Sequence, residues 1–347
     1  MRPAFALLLA TCAFAQNPRV GFYQWTSAHP GDSLTAAREA VKQAGAGLLR
    51  IYVGPRWDYI AERRTRATPL ELMKLERYRA ALTDPALPTL VLSVYPAIDY
   101  GAGLDDINLN RPWSAREEKA EYAQIHELAM WLLREHGTLA KTVLIANSEA
   151  DARLGEIVEY TGDAKLAIAN VTAWQRTRHR AIGDARRAFP AAKLQLRSVF
   201  EISRINTFVE GRWNALTAVV PQVPFDVLSY SAYESANSPF ETGKLDTPPS
   251  GVTERLLRDW AKLKAATPKP VMIGELGFSL EQFEPLRTGG VLPRMNAALA
   301  ALRRMNPAYV VFWQAFDMPV NGLEPVRWGL LEPGHPARAA LAAYIRQ

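Results

Sequence analysis

Eight short, β-rich runs alternate with longer helical patterns from Val20 to the C-terminus. This alternation constrains the chain more than any single motif. The expected strands are Val20–Tyr23, Gly47–Val53, Thr89–Tyr95, Thr142–Asn147, Lys193–Val199, Phe225–Tyr230, Pro270–Gly274 and Tyr309–Trp313. Most are near-continuous apolar runs, the pattern of a parallel strand covered on both faces. Helix signals fill the intervals. Ser33 is expected to cap Leu34–Ala44, and Thr68-Pro69 to open Leu70–Leu82. Ser114 to Glu117 spells a capping box, Asp163 opens a long helix to Phe189, and Val252–Ala266 and Pro336–Ile345 follow. Eight strands, each followed by a helix, imply an α/β fold, a single (β/α)8 TIM barrel. A doubly wound sheet lacks its own evidence, because no Gly-x-Gly-x-x-Gly follows the first strand.

The chain has 347 residues and a net charge of +6. Its Lys and Arg residues are scattered, so no nucleic-acid-binding stripe is expected. Residues 1–15 read as a secretory signal. Arg2 supplies the positive start, Ala4 to Ala10 the apolar stretch, and Ala13-Phe14-Ala15 the small residues for cleavage before Gln16. Leu9-Ala10-Thr11-Cys12 resembles a lipobox, but Thr11 suits the slot before the cysteine poorly. The expectation is therefore an exported barrel over 16–347, periplasmic or extracellular, with no cysteine and no stable membrane span.

Two glutamates at strand ends carry the functional reading. Glu149 follows Thr142–Ser148, and Glu275 closes Pro270–Gly274. Along the fourth strand Val143, Ile145, Asn147 and Glu149 share one parity; along the seventh, Val271, Ile273 and Glu275 do. If those apolar residues fill the barrel, both carboxylates point over its mouth, as glycosidic bond cleavage requires. Asp99, Asp151, Glu201, Glu234 and Asp317 also lie near strand ends and are alternative members of the pair. Trp25, near the end of the first strand, is a candidate lining residue. The five histidines lack ligand spacing, so neither metal nor cofactor is expected, and no Gly-x-Ser-x-Gly or phosphate loop is present.

These residues resemble clan A glycoside hydrolases, the retaining (β/α)8 enzymes. Gly274-Glu275-Leu276-Gly277 is similar to the clan's nucleophile motif. Arg50 resembles the arginine ending strand two, and Ser229-Tyr230-Ser231-Ala232-Tyr233 the strand-six segment whose tyrosine, here Tyr233, bonds the nucleophile. Trp313 corresponds to the strand-eight tryptophan, and Trp328-Gly329-Leu330-Leu331 to the ending after it. The resemblance implies Glu275 as nucleophile, Glu149 as acid/base, and Arg50, Asn147, Ser148, Tyr233 and Trp313 around an oligo- or polysaccharide substrate. The chain departs from the pattern at Ser148, where the clan has asparagine, and at Ser231, where a histidine is common. Ser148 motivates the rival reading, a non-catalytic glycan-binding or scaffold barrel. An unrelated barrel enzyme is a third reading, since the fold hosts many chemistries.

Overall fold

The computed structural model describes residues 16–25, 31–55, 59, 66–98, 112–147, 149–151, 163–207, 212–237, 249–280, 290–320 and 323–347. The expected signal segment, Asp99 and Ser148 lie outside them.

Eight parallel strands close into a barrel in sequence order: β1 (Asn17–Gln24), β2 (Ala46–Val53), β3 (Thr89–Val94), β4 (Thr142–Ala146), β5 (Gln195–Ile202), β6 (Val227–Ser231), β7 (Val271–Glu275) and β8 (Val310–Trp313), with β8 returning to β1. The described helices are α1 (Ser33–Gln43), α2 (Pro69–Met73), α3 (Glu76–Thr83), α4 (Ala115–His136), α5 (Ala164–Ala188), α6 (Ala215–Ala218), α7 (Tyr233–Asn237), α8 (Pro249–Ala266), α9 (Val291–Met305) and α10 (Arg338–Ile345). A two-stranded antiparallel ribbon, Met318–Val320 with Leu323–Val326, follows β8. The (β/α)8 architecture read from the alternation is the observed one. Among the described residues no helix is long and apolar enough to cross a membrane.

Local chemistry sets the helix starts. Ser114 and Glu117 form the expected capping box, as do Thr68 and Glu71. Asp32, rather than Ser33, caps α1, its carboxylate accepting from the N–H groups of Leu34 and Thr35. The segment read as one helix from Leu70 is two short ones, α2 and α3.

The parity expectation is overturned. The barrel interior is filled by residues such as Leu48, Val91, Leu144, Val199, Met272 and Val311. Val143, Ile145, Val271 and Ile273 instead belong to the layer between strands and helices. Because both faces of a parallel strand are apolar, hydropathy does not say which face looks inward. Strand β5 also runs three residues further than expected. Its reading stopped before Glu201, a charge that the interior accommodates by pairing.

Where β3 and β4 end, Arg178 of α5 pairs with Glu121 of α4 at 2.6 Å and donates to the carbonyls of Val94 and Ala146. These contacts occupy strand-end acceptors.

Candidate active site

The interior changes character toward the C-terminal ends of the strands. Above the apolar layer, Arg50, Ser93, Glu201 and Ser229 are all buried. Arg50 organises them. Its Nη1 and Nη2 donate to the two carboxylate oxygens of Glu201 at 2.6 and 2.7 Å, and its Nε donates to Ser93 Oγ at 2.8 Å. Nη1 also donates to the Gly274 carbonyl at 3.0 Å, and the guanidinium lies 4.4 Å from the centre of the Tyr23 ring. Ser229 donates to Glu201 at 2.8 Å. A buried arginine needs this saturation, since an unmatched charge there costs several kcal/mol.

Glu275 reaches this assembly despite lying on the wrong parity of β7. Pairing with β6 advances from Tyr230–Ile273 to Ser231–Glu275, so one extra residue, Gly274, enters the β7 side. Such an irregularity re-aims the side chain beyond it. Gly274 then occupies the inward position, where a Cβ would lie 2.1 Å from Ser229 Oγ and 2.3 Å from Glu201 Oε2. Glycine is required because the Arg50 network uses that space. Glu275 Oε1 ends 3.4 Å from Arg50 Nη1.

Burial pushes the Glu275 carboxyl well above its ordinary range. Arg50 opposes that push, the charges of Glu201 and Glu149 add to it, and the Tyr233 hydroxyl relieves it by hydrogen bonding. Glu149 is pushed up to about 7, first by burial and then by the charges of Asp151 and Glu201, while Ser231 and Arg50 pull it back. The charge of Glu149 thus acts on Glu275. Their surroundings differ. Glu275 has a guanidinium and a phenol to stabilise its charge, whereas Glu149 has mainly negative neighbours. Both carboxyls are nonetheless raised, burial being the largest cause for each.

The remaining expected residues fall on both sides of the forecast. Tyr233, the first residue of α7, acts on Glu275 as anticipated. Trp313 ends β8, half-buried, with its ring 5.0 Å from Tyr23 and 6.1 Å from Trp25. Its peptide bond to Gln314 is cis. Trp25 joins Tyr52 and Tyr95 in an aromatic wall with centroid separations of 4.8 and 5.9 Å. Asn147 has a structural tie as well. It is fully buried, donating to the Glu201 carbonyl at 3.2 Å and accepting from the Glu201 N–H at 2.7 Å. Its amide continues the β4–β5 ladder past Ala146.

Three of the alternative acids accept backbone N–H bonds. Asp151 accepts from the N–H groups of Ser203 and Arg204. Glu234 accepts from Ile205, Asn206 and Thr207 N–H groups at 2.6, 2.8 and 2.7 Å. Asp317 accepts from Gly329 N–H at 2.6 Å. These three hold loops in place. Glu201 has a different importance, as the partner of Arg50, which the sequence reading did not assign. Arginine within an apolar strand was the signal for a buried acid, but not for which one. Among the described residues, no group of three or more His, Cys, Asp or Glu is placed to hold a metal ion.

No protein-family profile matches the sequence, and no curated protein matches it. Solved structures do match the fold. An endo-1,4-β-D-mannanase from Thermotoga petrophila is 12% identical with a TM-score of 0.59, covering 95% of this chain and 99% of its own. A GH5_18 protein from Bifidobacterium longum subsp. infantis is 14% identical with a TM-score of 0.58, covering 88% and 71%. A GH5-4 broad-specificity endoglucanase from Ruminococcus champanellensis, solved with cellotriose, is 13% identical with a TM-score of 0.54, covering 89% and 84%. At such identities the shared property is the barrel itself.

Proposed function

We propose that this chain is an exported retaining glycoside hydrolase acting on β-linked oligo- or polysaccharides. The observation that carries the reading is a pair of buried carboxyls at the barrel mouth, both pushed above the ordinary range, of which Glu275 has Arg50 at 3.4 Å and the Tyr233 hydroxyl to favour its ionised form. The N-terminal signal pattern supports export, and the mannanase and endoglucanase neighbours support a β-glycan substrate.

In the first step Glu275 attacks the anomeric carbon while Glu149 gives its proton to the departing oxygen, so the C–O bond breaks as the glycosyl ester forms. Glu149 then takes a proton from water, whose oxygen replaces Glu275 on the same carbon. Arg50 and Tyr233 stabilise the carboxylate before attack and after release. Trp313 supports the sugar ring, with Trp25 lining the cleft beside it. Ser148, in the slot usually held by asparagine, would face the sugar 2-hydroxyl.

The test is hydrolysis of aryl β-glycosides together with β-1,4-glucans and β-1,4-mannans, with product anomers followed by NMR. Release of the β-anomer first is expected. Absence of turnover across the panel would remove this reading, and first release of the α-anomer would replace retention by inversion.

A further inference from the structure

Three carboxylates and one guanidinium converge on the barrel mouth: Glu149, Glu201 and Glu275 around Arg50. A mechanism with two carboxylates leaves Glu201 without a task, yet Glu201 holds the better part of the arginine. Its two oxygens take both terminal nitrogens at 2.6 and 2.7 Å, against a single 3.4 Å approach to Glu275. Bidentate contacts of this length are the strong form of the interaction. Glu201 is itself immobilised, by Ser229 on its side chain and by Asn147 on its backbone. Gly274 keeps that space open.

We infer that Glu201 is a positioning residue that holds the Arg50 guanidinium and takes part of its charge away from Glu275, thereby setting the working pH range of the Glu149–Glu275 pair. The pH consequence rests on the proposed function; the hold on Arg50 does not. Among the described residues, Tyr23 from β1, Arg50 from β2, Glu149 beyond β4, Glu201 from β5 and Tyr233 from α7 act on Glu275, and Asp151 acts on Glu149. Glu201 and Arg50 each act on both reacting carboxyls with one sign: the Arg50 charge favours ionisation of each, and the Glu201 charge disfavours it. Removal of the Glu201 charge therefore moves the whole pH profile toward acid and keeps its bell shape. A purely structural residue would change the height of that profile and leave its limbs in place.

The experiment compares the full-length wild type with Glu201→Gln, which keeps the side chain's size while losing its charge. Two readouts are used. The first is the pH dependence of kcat/KM on an aryl β-glycoside. The second is a titration of the carboxyl signals in protein carrying 13C at the glutamate side-chain carboxyl, assigned with Glu149→Gln and Glu275→Gln. In E201Q both limbs of the profile, and both assigned signals, are expected to titrate about one pH unit lower. Unchanged limbs and signals in folded E201Q overturn the proposal. If E201Q does not fold, Glu201→Asp withdraws the charge by one methylene and is expected to shift the signals the same way by less; no shift overturns the proposal there too. If the wild type hydrolyses no glycan, the proposed function falls, while the NMR titration still decides whether Glu201 controls the pair.

Discussion

Arg50 approaches Glu275 at 3.4 Å while giving its forked pair of hydrogen bonds to Glu201. Only an arginine satisfies Glu201, Ser93 and the Gly274 carbonyl at once, because its donors are fixed in a plane. Arg50→Lys is accordingly expected to fold, to lose about 1–3 kcal/mol of stability, and to lose most of its turnover. Chemical denaturation alongside kinetics checks this, and a stable, fully active R50K contradicts the arrangement.

Glu275→Gln removes the proposed nucleophile with almost no change in volume. A fall in kcat of at least about a thousandfold is expected, the scale on which a covalent nucleophile contributes. Activity retained in a folded E275Q would exclude the double-displacement route. Glu149→Ala has a separate signature: azide should restore turnover and yield a glycosyl azide of retained configuration, identifiable by NMR.

The pH dependence follows from the same pair. With Glu149 pushed up to about 7 and proposed as the proton donor, kcat/KM should fall as pH rises through that value. Stability carries the opposite face of this shift. A carboxyl raised from 4.5 to about 7 on folding holds its proton more tightly in the native state, so its contribution is fully present below 4.5 and is lost as pH rises toward 7. Glu149→Gln should therefore raise the Tm above neutral pH and leave it nearly unchanged below 4.5. Thermal unfolding at a series of pH values decides it.

Gly274→Ala places a Cβ 2.1 Å from Ser229 Oγ and 2.3 Å from Glu201 Oε2. Overpacking of a fixed polar network should cost about 1–3 kcal/mol and lower activity together. Adding Ser229→Ala removes one of the two clashes and should recover part of the loss. Full stability in the single variant, measured by urea denaturation, would mean that the network yields more easily than its contacts imply.

At the opposite face of the barrel, Lys141 is buried and donates to the carbonyls of Leu82 and Asp84 at 2.6 and 3.0 Å, closing the end of α3. Burial lowers its ammonium to about 8. Lys141→Met leaves those acceptors incomplete and should cost about 1–3 kcal/mol of stability, with kcat unchanged. A selective loss of kcat would contradict the separation between the face that stabilises and the face that reacts.

All eight strands were legible, because covered parallel strands are apolar throughout and the intervening helices announce themselves with caps such as Ser114 with Glu117. Glu149 and Glu275 were legible as charges where apolar runs stop. Their orientation was not. The parity that pointed to Glu275 named Val271 and Ile273 as interior, whereas Met272 fills the barrel and the irregularity at Gly274 turns the glutamate inward. Asn147 was read as a substrate contact from its place next to the slot where the resembled clan has asparagine, and nothing local announced its bond to the backbone of Glu201.

Sequence alone determined the number and order of strands and the places where carboxylates meet strand ends, since these depend on local hydropathy and capping. Tertiary structure decided which acid holds Arg50 and which faces it across a gap. That choice is made by closure of the ring, which brings β2, β5 and β7 to one buried point where a single guanidinium must answer more than one negative charge.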